Sequence, residues 1–313
     1  MICFEHVSKF ILSDVSIHIP EGTSVGLIGA SGAGKTTLLK LTCGLLAPEQ
    51  GYVHTMRKNP VTYRSRIGSS MSVMLNDIPV LAEYNSVKSN FDDLRIIYQM
   101  SESKFLEEYK FLADALGFGS YENEVVKALS LGQRRRAELG ALLLMHPKLL
   151  LLDEPTIGLD QKAKEALRQL LMERQKEGMT LIISSHDMGE ISALCERIAL
   201  LDRGELTYYG GRELLLKRFA PIDTLELILS GPLPDLEDLP LHSFTLEQNK
   251  LTLTYNSNHV SSAELLQHLL KQTTFTGVTT YKAQLADVIR QIEKGETNEF
   301  YRSKRGKQNL SGQ

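Results

Sequence analysis

The chain has 313 residues, a formal net charge of −3, 42% hydrophobic and 23% charged residues, a balance that excludes disordered and fibrous classes and leaves room for one large domain or two ordinary ones. A charge so near neutrality gives no basic stripe for nucleic acid. The apolar run Leu149 to Leu152, like every other in the chain, falls far short of the roughly 20 residues that cross a bilayer. Met1 to His6 turns polar at once, so no leader is expected there. Cys3, Cys43 and Cys195 stand far apart in apolar surroundings without metal-ligand spacing, which predicts buried free thiols in a reducing compartment.

Ile2 and Phe4, then Val15, Ile17 and Ile19, alternate with polar residues and predict half-buried antiparallel strands. Phe10 lies between them, either an aromatic that stacks on an adenine ring or an ordinary aromatic of the sheet core. Pro20-Glu21-Gly22 turns the chain into a short buried strand, Thr23 to Ile28. Next comes Gly29-Ala30-Ser31-Gly32-Ala33-Gly34-Lys35-Thr36-Thr37, which meets the phosphate-loop pattern G-x-x-x-x-G-K-[ST] at every fixed position. Its glycines let the backbone curl so that successive N–H groups point inward. Lys35 can then reach the β- and γ-phosphates, and the Thr36 hydroxyl can ligate Mg²⁺. Thr37 to Leu46 reads as a helix, whose N-terminal dipole end adds to the anion site.

Ala47 to Gly51 is a stop and a turn, and Tyr52 to His54 and Ile67 to Leu75 read as further strands. From about Val80 the period becomes helical, first over Asn90 to Tyr98. A second helix carries Phe105, Leu106, Tyr109, Leu112, Ala113 and Leu116 behind a Ser103 cap, with Gly117 ending it. Two consecutive helices inside an α/β pattern predict a helical subdomain over about residues 80–127. Alternation then resumes with Lys148 to Leu152, Gln161 to Lys176, Thr180 to Ser184 and Ile198 to Asp202. Strands apolar on both faces fit a parallel sheet between helices. Asp202-Arg203-Gly204 is a hairpin turn into Glu205 to Tyr209.

After Gly210-Gly211 and a helix through Phe219 the rhythm changes. Strands at Leu225 to Leu229, Phe244 to Glu247 and Leu251 to Tyr255 precede a helix Ser261 to Gln272, a strand Gly277 to Tyr281 and a helix Gln284 to Lys294, a small α+β unit with an irregular loop at Gly231 to Asp235. Residues 298–313 are polar and basic and read as a disordered, solvated tail.

Leu149 to Pro155 is an apolar strand ending in Asp153 and Glu154. Asp153 can hold the Mg²⁺ that bridges phosphates, and Glu154 can polarise the attacking water. Upstream, Leu129-Ser130-Leu131-Gly132-Gln133-Arg134-Arg135-Arg136 leads into a helix, Ala137 to Leu144. Ser130 and Gly132 before a helix make a second anion-binding N-terminus. It has no phosphate-loop lysine, so it makes sense as half a site supplied to another copy. Arg134 to Arg136 can be read as stabilising phosphate or a partner acid, with a solvated helix face as the safer reading.

With these motifs in this order, and with Gly158-Leu159-Asp160 and then His186 after Ile182-Ile183-Ser184-Ser185, the chain resembles an ATP-binding-cassette (ABC) ATPase over about residues 1–215. The wording of the signature and of Asp153 to Asp160 is similar to the ATPase subunits of bacterial ABC-2-type transporters, many of them exporters. The small C-terminal unit looks like theirs. The resemblance implies an α/β fold of the P-loop NTPase class, with a parallel core sheet, an antiparallel β subdomain and a helical subdomain. It divides the chain into an ATPase domain 1–215, an accessory α+β domain 216–297 and the tail.

It also implies ATP and Mg²⁺ as cofactors and a head-to-tail pair of ATPase subunits, identical or related. Each ATP would lie between one phosphate loop and Ser130, Gly132 and Gln133 of the other copy. Lys35 would hold phosphate, Glu154 would act as general base, His186 would contact the γ-phosphate and Asp160 would cross the interface to couple the sites. The implied partner is an integral membrane permease subunit, and the implied place is the cytoplasmic, inner face of the cell membrane. One departure concerns a glutamine that the family places before the helical subdomain. The stretch Ile67 to Asp77 contains none; Ser72 or Val73 would fall at its place, with Asn76 a substitute a few residues on. Two alternatives remain: a soluble cassette ATPase acting on ribosomes or nucleic acid, and a regulatory cassette with weak turnover. Against the first, neither a second cassette nor a coiled-coil insertion is present.

Overall fold

The computed structural model describes residues 1–293 and divides into two compact units, Met1–Gly210 and a second beginning at Gly211. The basic tail at 298–313 lies outside the described residues. In the first unit β1 (Ile2–Lys9) and β2 (Leu12–Ile19) pair antiparallel, matching Ile2 with Ile19, Phe4 with Ile17 and Val7 with Val15. These inward residues are buried, as the period-two alternation requires. Phe10 sits in the turn between the strands at φ 51 and is 69% exposed, so it is not an aromatic of the sheet core. Lys9 Nζ lies 4.6 Å from its ring centroid.

β3 (Ser24–Ile28) is wholly buried, and α1 (Lys35–Thr42) follows the phosphate loop. β4 (Gln50–Thr55) adds to β1, giving the antiparallel sheet β2-β1-β4. Only part of the expected Ile67 to Leu75 strand is strand. Ile67 belongs to a short helix α2 (Arg64–Gly68), and β5 (Met71–Met74) starts later. An isolated apolar side chain buries as well from one helical turn as from a strand, so period alone could not separate them.

α3 (Val87–Ile97) is capped by Ser86, whose side chain accepts from Ser89 N–H. α4 (Glu102–Leu116) starts after Ser101, not Ser103, because the chain is extended at Ser101 (φ −64, ψ 144) and Ser103 already lies inside the first turn. Gly117 closes α4 in the left-handed region at φ 72. The first unit continues with α5 (Leu131–Leu143), β6 (Leu149–Asp153), α6 (Gln161–Lys176), β7 (Thr180–Ser184), α7 (Met188–Leu194), β8 (Arg197–Asp202) and β9 (Glu205–Gly211).

The core sheet runs β5-β6-β7-β3-β8-β9. Its first five strands are parallel and almost wholly buried, which is why they read as continuous apolar runs. Asp153 pairs with Ser184, and Ser184 with Leu27, so the carboxyl ends of β6, β7 and β3 come level. That register brings the phosphate loop, Glu154 and His186 to one edge of the sheet, where open α/β sheets bind ligands.

Helices α3, α4 and α5 pack around a cluster of aromatic rings. Phe91 stacks on Phe118 at 5.1 Å and meets Tyr109 edge-on at 5.0 Å. Each buried ring contributes roughly 1.5–3 kcal/mol of hydrophobic stabilisation. Buried Asn90 is fully engaged with Ala82 and Ser86, fixing the chain's entry into α3.

The second unit contains α8 (Arg212–Phe219), β10 (Ile222–Leu229), β11 (Leu241–Glu247), β12 (Lys250–Asn256), α9 (Ser262–Leu269), β13 (Phe275–Tyr281) and α10 (Leu285–Glu293). Its antiparallel sheet has the order β11-β12-β10-β13. Leu225, Leu227 and Leu229 face Leu251, Leu253 and Tyr255 on one side, where Leu265 and Leu269 of α9 cover them.

Candidate functional site

The phosphate loop leaves β3 and closes on Gly34, the N-cap of α1, at φ 106 and with no side-chain cap. A side chain there would be strained, and its Cβ would fall 2.5 Å from Leu12 Cδ2. The first amides of α1 thus have no capping side chain, and no acid stands in its first turn, the arrangement that suits an anion. Lys35 Nζ donates to the Gly29 and Ala30 carbonyls at 2.8 and 3.1 Å, which holds the ammonium over the loop. Burial lowers its pKa, while Glu154 and Asp153 act to raise it.

Thr36 and Asp153 meet as their sequence positions predict. Thr36 Oγ1 donates to Asp153 Oδ2 at 2.7 Å, and the Ser184 hydroxyl donates to the other oxygen, Oδ1. A hydroxyl and a carboxylate side by side at the mouth of a phosphate loop are the hard oxygen donors a magnesium ion takes. The residues fit that ion, which would supply charge neutralisation across the phosphates.

Glu154 follows at φ 50, 8% exposed. His186 N–H donates to its Oε2 at 3.2 Å. Its other oxygen, Oε1, is buried and accepts no hydrogen bond, although His186 Nε2 stands 3.2 Å away. A buried carboxylate is costly to a fold unless its oxygens are engaged, and the His186 backbone and ring are the groups beside its two oxygens. His186 itself is exposed at the rim.

Ser130 caps α5 in a reciprocal box: its hydroxyl accepts from Gln133 N–H at 3.2 Å, and Gln133 Oε1 accepts from Ser130 N–H at 3.0 Å. The Gln133 side-chain oxygen is thereby engaged inside the chain. Gly132 abuts the loop Gly158-Leu159-Asp160. Asp160 caps α6 by accepting from Ala163 N–H at 2.9 Å and also accepts from Arg136 Nη2 at 2.7 Å.

The three arginines are not a solvated face. Arg134 bonds Glu83 and Glu138, each at 3.0 Å; Arg135 is 8% exposed; Arg136 holds Asp160. Acids and amides distant in sequence, at 76, 83 and 160, fold over them. Of the cysteines, all are free, but Cys3 is only half-buried.

At the place considered for the glutamine, Ser72 and Val73 are strand residues within β5, and the Ser72 hydroxyl is given to Leu142 O. Asn76 is the polar residue at the strand's exit, and it accepts from Arg135. Sequence reasoning missed Ser184 and Glu190. Ser184 is legible afterwards as the polar end of an apolar strand. Glu190 Oε2 accepts from the Ser185 and Thr156 hydroxyls at 2.7 and 3.1 Å, tying α7 to the loops after β6 and β7.

Phosphate loop, acidic strand end and capped signature on this sheet define a P-loop ATPase of the cassette class. The family model described as "ABC transporter" matches residues 12–157. The ABC transporter ATP-binding protein NatA of Bacillus subtilis is 30% identical over 202 residues, 64% of this chain and 82% of that protein. The lantibiotic transport ATP-binding protein SrtF of Streptococcus pyogenes is 33% identical over 218 residues, 67% of this chain and 90% of that protein. Among solved structures, a dimeric bacterial ABC transporter cassette, MJ0796, superposes with a TM-score of 0.60 at 25% identity, over 67% of this chain and 98% of that one. The chain belongs to the ATP-binding proteins of ABC transporters. It is an ATP-binding and ATP-hydrolysing subunit of that family.

Proposed function

We propose that two ATPase subunits, identical or related, close head to tail on two ATP and drive transport through a separate permease, with export the direction implied by the signature wording. Lys35 and the loop 29–37 hold the phosphates, Thr36 and Asp153 hold Mg²⁺, and Phe10 at its exposed turn stacks on the adenine. Ser130, Gly132 and Gln133 of the opposite copy complete each site. Glu154 accepts the proton of the attacking water, and His186 orients that carboxylate and the γ-phosphate. Asp160 lies at the interface while held by Arg136. The observation that carries this reading is the buried Glu154 carboxylate, with His186 Nε2 3.2 Å from its Oε1, on the same sheet edge as the Thr36–Asp153 pair.

On this reading the permease is a separate protein and this subunit sits on the inner membrane face; among the described residues no helix is long and apolar enough to cross a membrane. A groove of about 340 Å³ beside β5, lined by Leu45, Val73, Val80, Leu94, Tyr98 and Leu142, suits a short apolar permease segment.

The test is Glu154→Gln with ATP and Mg²⁺. The variant should elute as a dimer and recover a polytopic membrane protein from detergent-solubilised membranes, and adding Leu94→Asp should abolish that recovery. A monomer at saturating ATP sinks the shared site. Recovery of ribosomes moves the function to the soluble alternative.

A further inference from the structure

A second concavity lies at the end of the core sheet away from the phosphate loop. Ser70 precedes β5 and Lys148 precedes β6, so both stand at the amino ends of strands whose carboxyl ends lead to the nucleotide chemistry. The five residues of β6, at about 3.3 Å each, put roughly 16 Å between Lys148 and Asp153. Between these strand ends and the outer face of the sheet β2-β1-β4 is a cavity of about 640 Å³, inside the roughly 300–1,000 Å³ range of small-molecule sites. Arg57, Lys58, Arg66 and Lys148 line it, with Glu21 the single acid among the lining residues. Whereas Lys9, Lys40 and Lys164 each meet a carboxylate, none of these four cations does among the described residues.

Local structure gathers these charges in spite of their repulsion. Tyr63 presents its ring to Lys58 Nζ at 5.9 Å and to Arg66 Cζ at 5.7 Å, holding two like charges beside one aromatic. Met56 and Arg57 form a two-residue turn at φ 51 and 61, closed by Thr55 N–H to Lys58 O at 2.9 Å and Lys58 N–H to Thr55 O at 3.0 Å. Such left-handed positions favour glycine and asparagine. An arginine standing there points to use of its side chain. The floor adds donors: β1 pairs Cys3 with His18 of β2 and with His54 of β4, and both imidazoles line the cavity. Among the described residues no His, Cys, Asp and Glu group is placed to hold a metal ion, and an imidazole N–H donates to anions in either protonation state.

We infer that this cavity binds a free small molecule carrying two or more phosphate groups, at a site separate from that of ATP. Four cations against one acid leave a surplus that a single phosphate, at about −1.5 to −2 charges, does not meet and two do. Arg57 and Arg66 offer forked donors, and Lys58 and Lys148 offer point charges. The concave shape suits a small anion better than a membrane surface, and a chain of net charge −3 has no extended basic face for nucleic acid.

The test is calorimetric titration of inorganic tripolyphosphate into the Lys35→Ala chain, whose phosphate loop has lost its ammonium. One tripolyphosphate should bind per chain, and inorganic phosphate should bind at least about tenfold more weakly. Adding Arg57→Asn and Lys148→Gln, which suit the turn and the strand end but remove two cations, should weaken tripolyphosphate at least about tenfold. Adding Arg57→Lys and Lys148→Arg instead should hold affinity within about threefold, since both positions stay cationic. Lys104→Ala with Lys110→Ala removes the same charge from the exposed side of α4 and should leave binding unchanged. No tripolyphosphate binding, binding that survives Arg57→Asn with Lys148→Gln, or an equal loss in the α4 variant each overturns the proposal. So does co-sedimentation with phosphatidylglycerol vesicles in the absence of tripolyphosphate binding, which would make these cations a membrane contact.

Discussion

Gly132, two residues into the α5 signature, lies so close to Gly158 that a Cβ built on it would fall 2.5 Å from the Gly158 carbonyl oxygen. The atom it would meet is backbone, so the loop before α6 must move to admit any side chain. Gly132→Ala should therefore cost about 1–3 kcal/mol of stability in chemical denaturation, as overpacking of a fitted contact does, and lower ATPase activity because Asp160 rides on the same loop. A variant as stable and as active as wild type would show that the contact is slack.

Ser184 holds Asp153 from the side opposite Thr36, and its hydroxyl also lies 3.3 Å from Glu154 N–H. Losing an outer partner of a metal-binding carboxylate typically weakens metal affinity about 10–100-fold. In a Mg²⁺ titration of ATPase activity, Ser184→Ala should need about tenfold more Mg²⁺ for half-maximal rate while keeping its maximal rate near wild type. An unchanged midpoint would remove Mg²⁺ from the Thr36–Asp153 pair.

The legible parts of this chain are those in which residue type and local period agree. The phosphate loop stands between a buried strand and a helix, the acids of β6 end an apolar run, and the period-two alternation of Leu225, Leu227 and Leu229 marks β10. Arg134, Arg135 and Arg136 mislead because a run of three cations reads as solvated by itself. Glu83, Asn76 and Asp160, which pair with them, converge only after α3, β5 and α6 are packed. Ser103 misleads for a milder reason: Ser101 stands two residues earlier, and only the backbone angles decide between two equivalent caps. Asn76 becomes significant only through Arg135, which no spacing in the sequence connects to it.

Asp160 does two separable things, capping α6 and pairing with Arg136. Asparagine caps a helix as well as aspartate but carries no charge. Asp160→Asn should keep the melting temperature of wild type, whereas Asp160→Ala should lower it. If coupling between paired sites uses the carboxylate, both variants should lose cooperativity in ATP concentration to the same degree. Equal melting temperatures for the two variants would show that the cap does not contribute.

Glu190 gives the fold a pH dependence of definite sign. Burial pushes its carboxyl above the ordinary value of 4.5, and Asp187 adds to the rise, while the Ser185 and Thr156 hydroxyls oppose it. An acid that keeps its proton more readily in the folded chain than in the unfolded one favours folding at low pH. That contribution is complete below 4.5 and is lost as pH rises through the raised folded value. Glu190→Gln retains an oxygen for both hydroxyls and cannot ionise. In urea denaturation at stepped pH, it should match wild type under acidic conditions and become the more stable of the two as pH approaches neutrality. A stability gap that narrows with rising pH would mean that the charged carboxylate is the form the fold prefers, and that the two hydroxyls outweigh burial at this position.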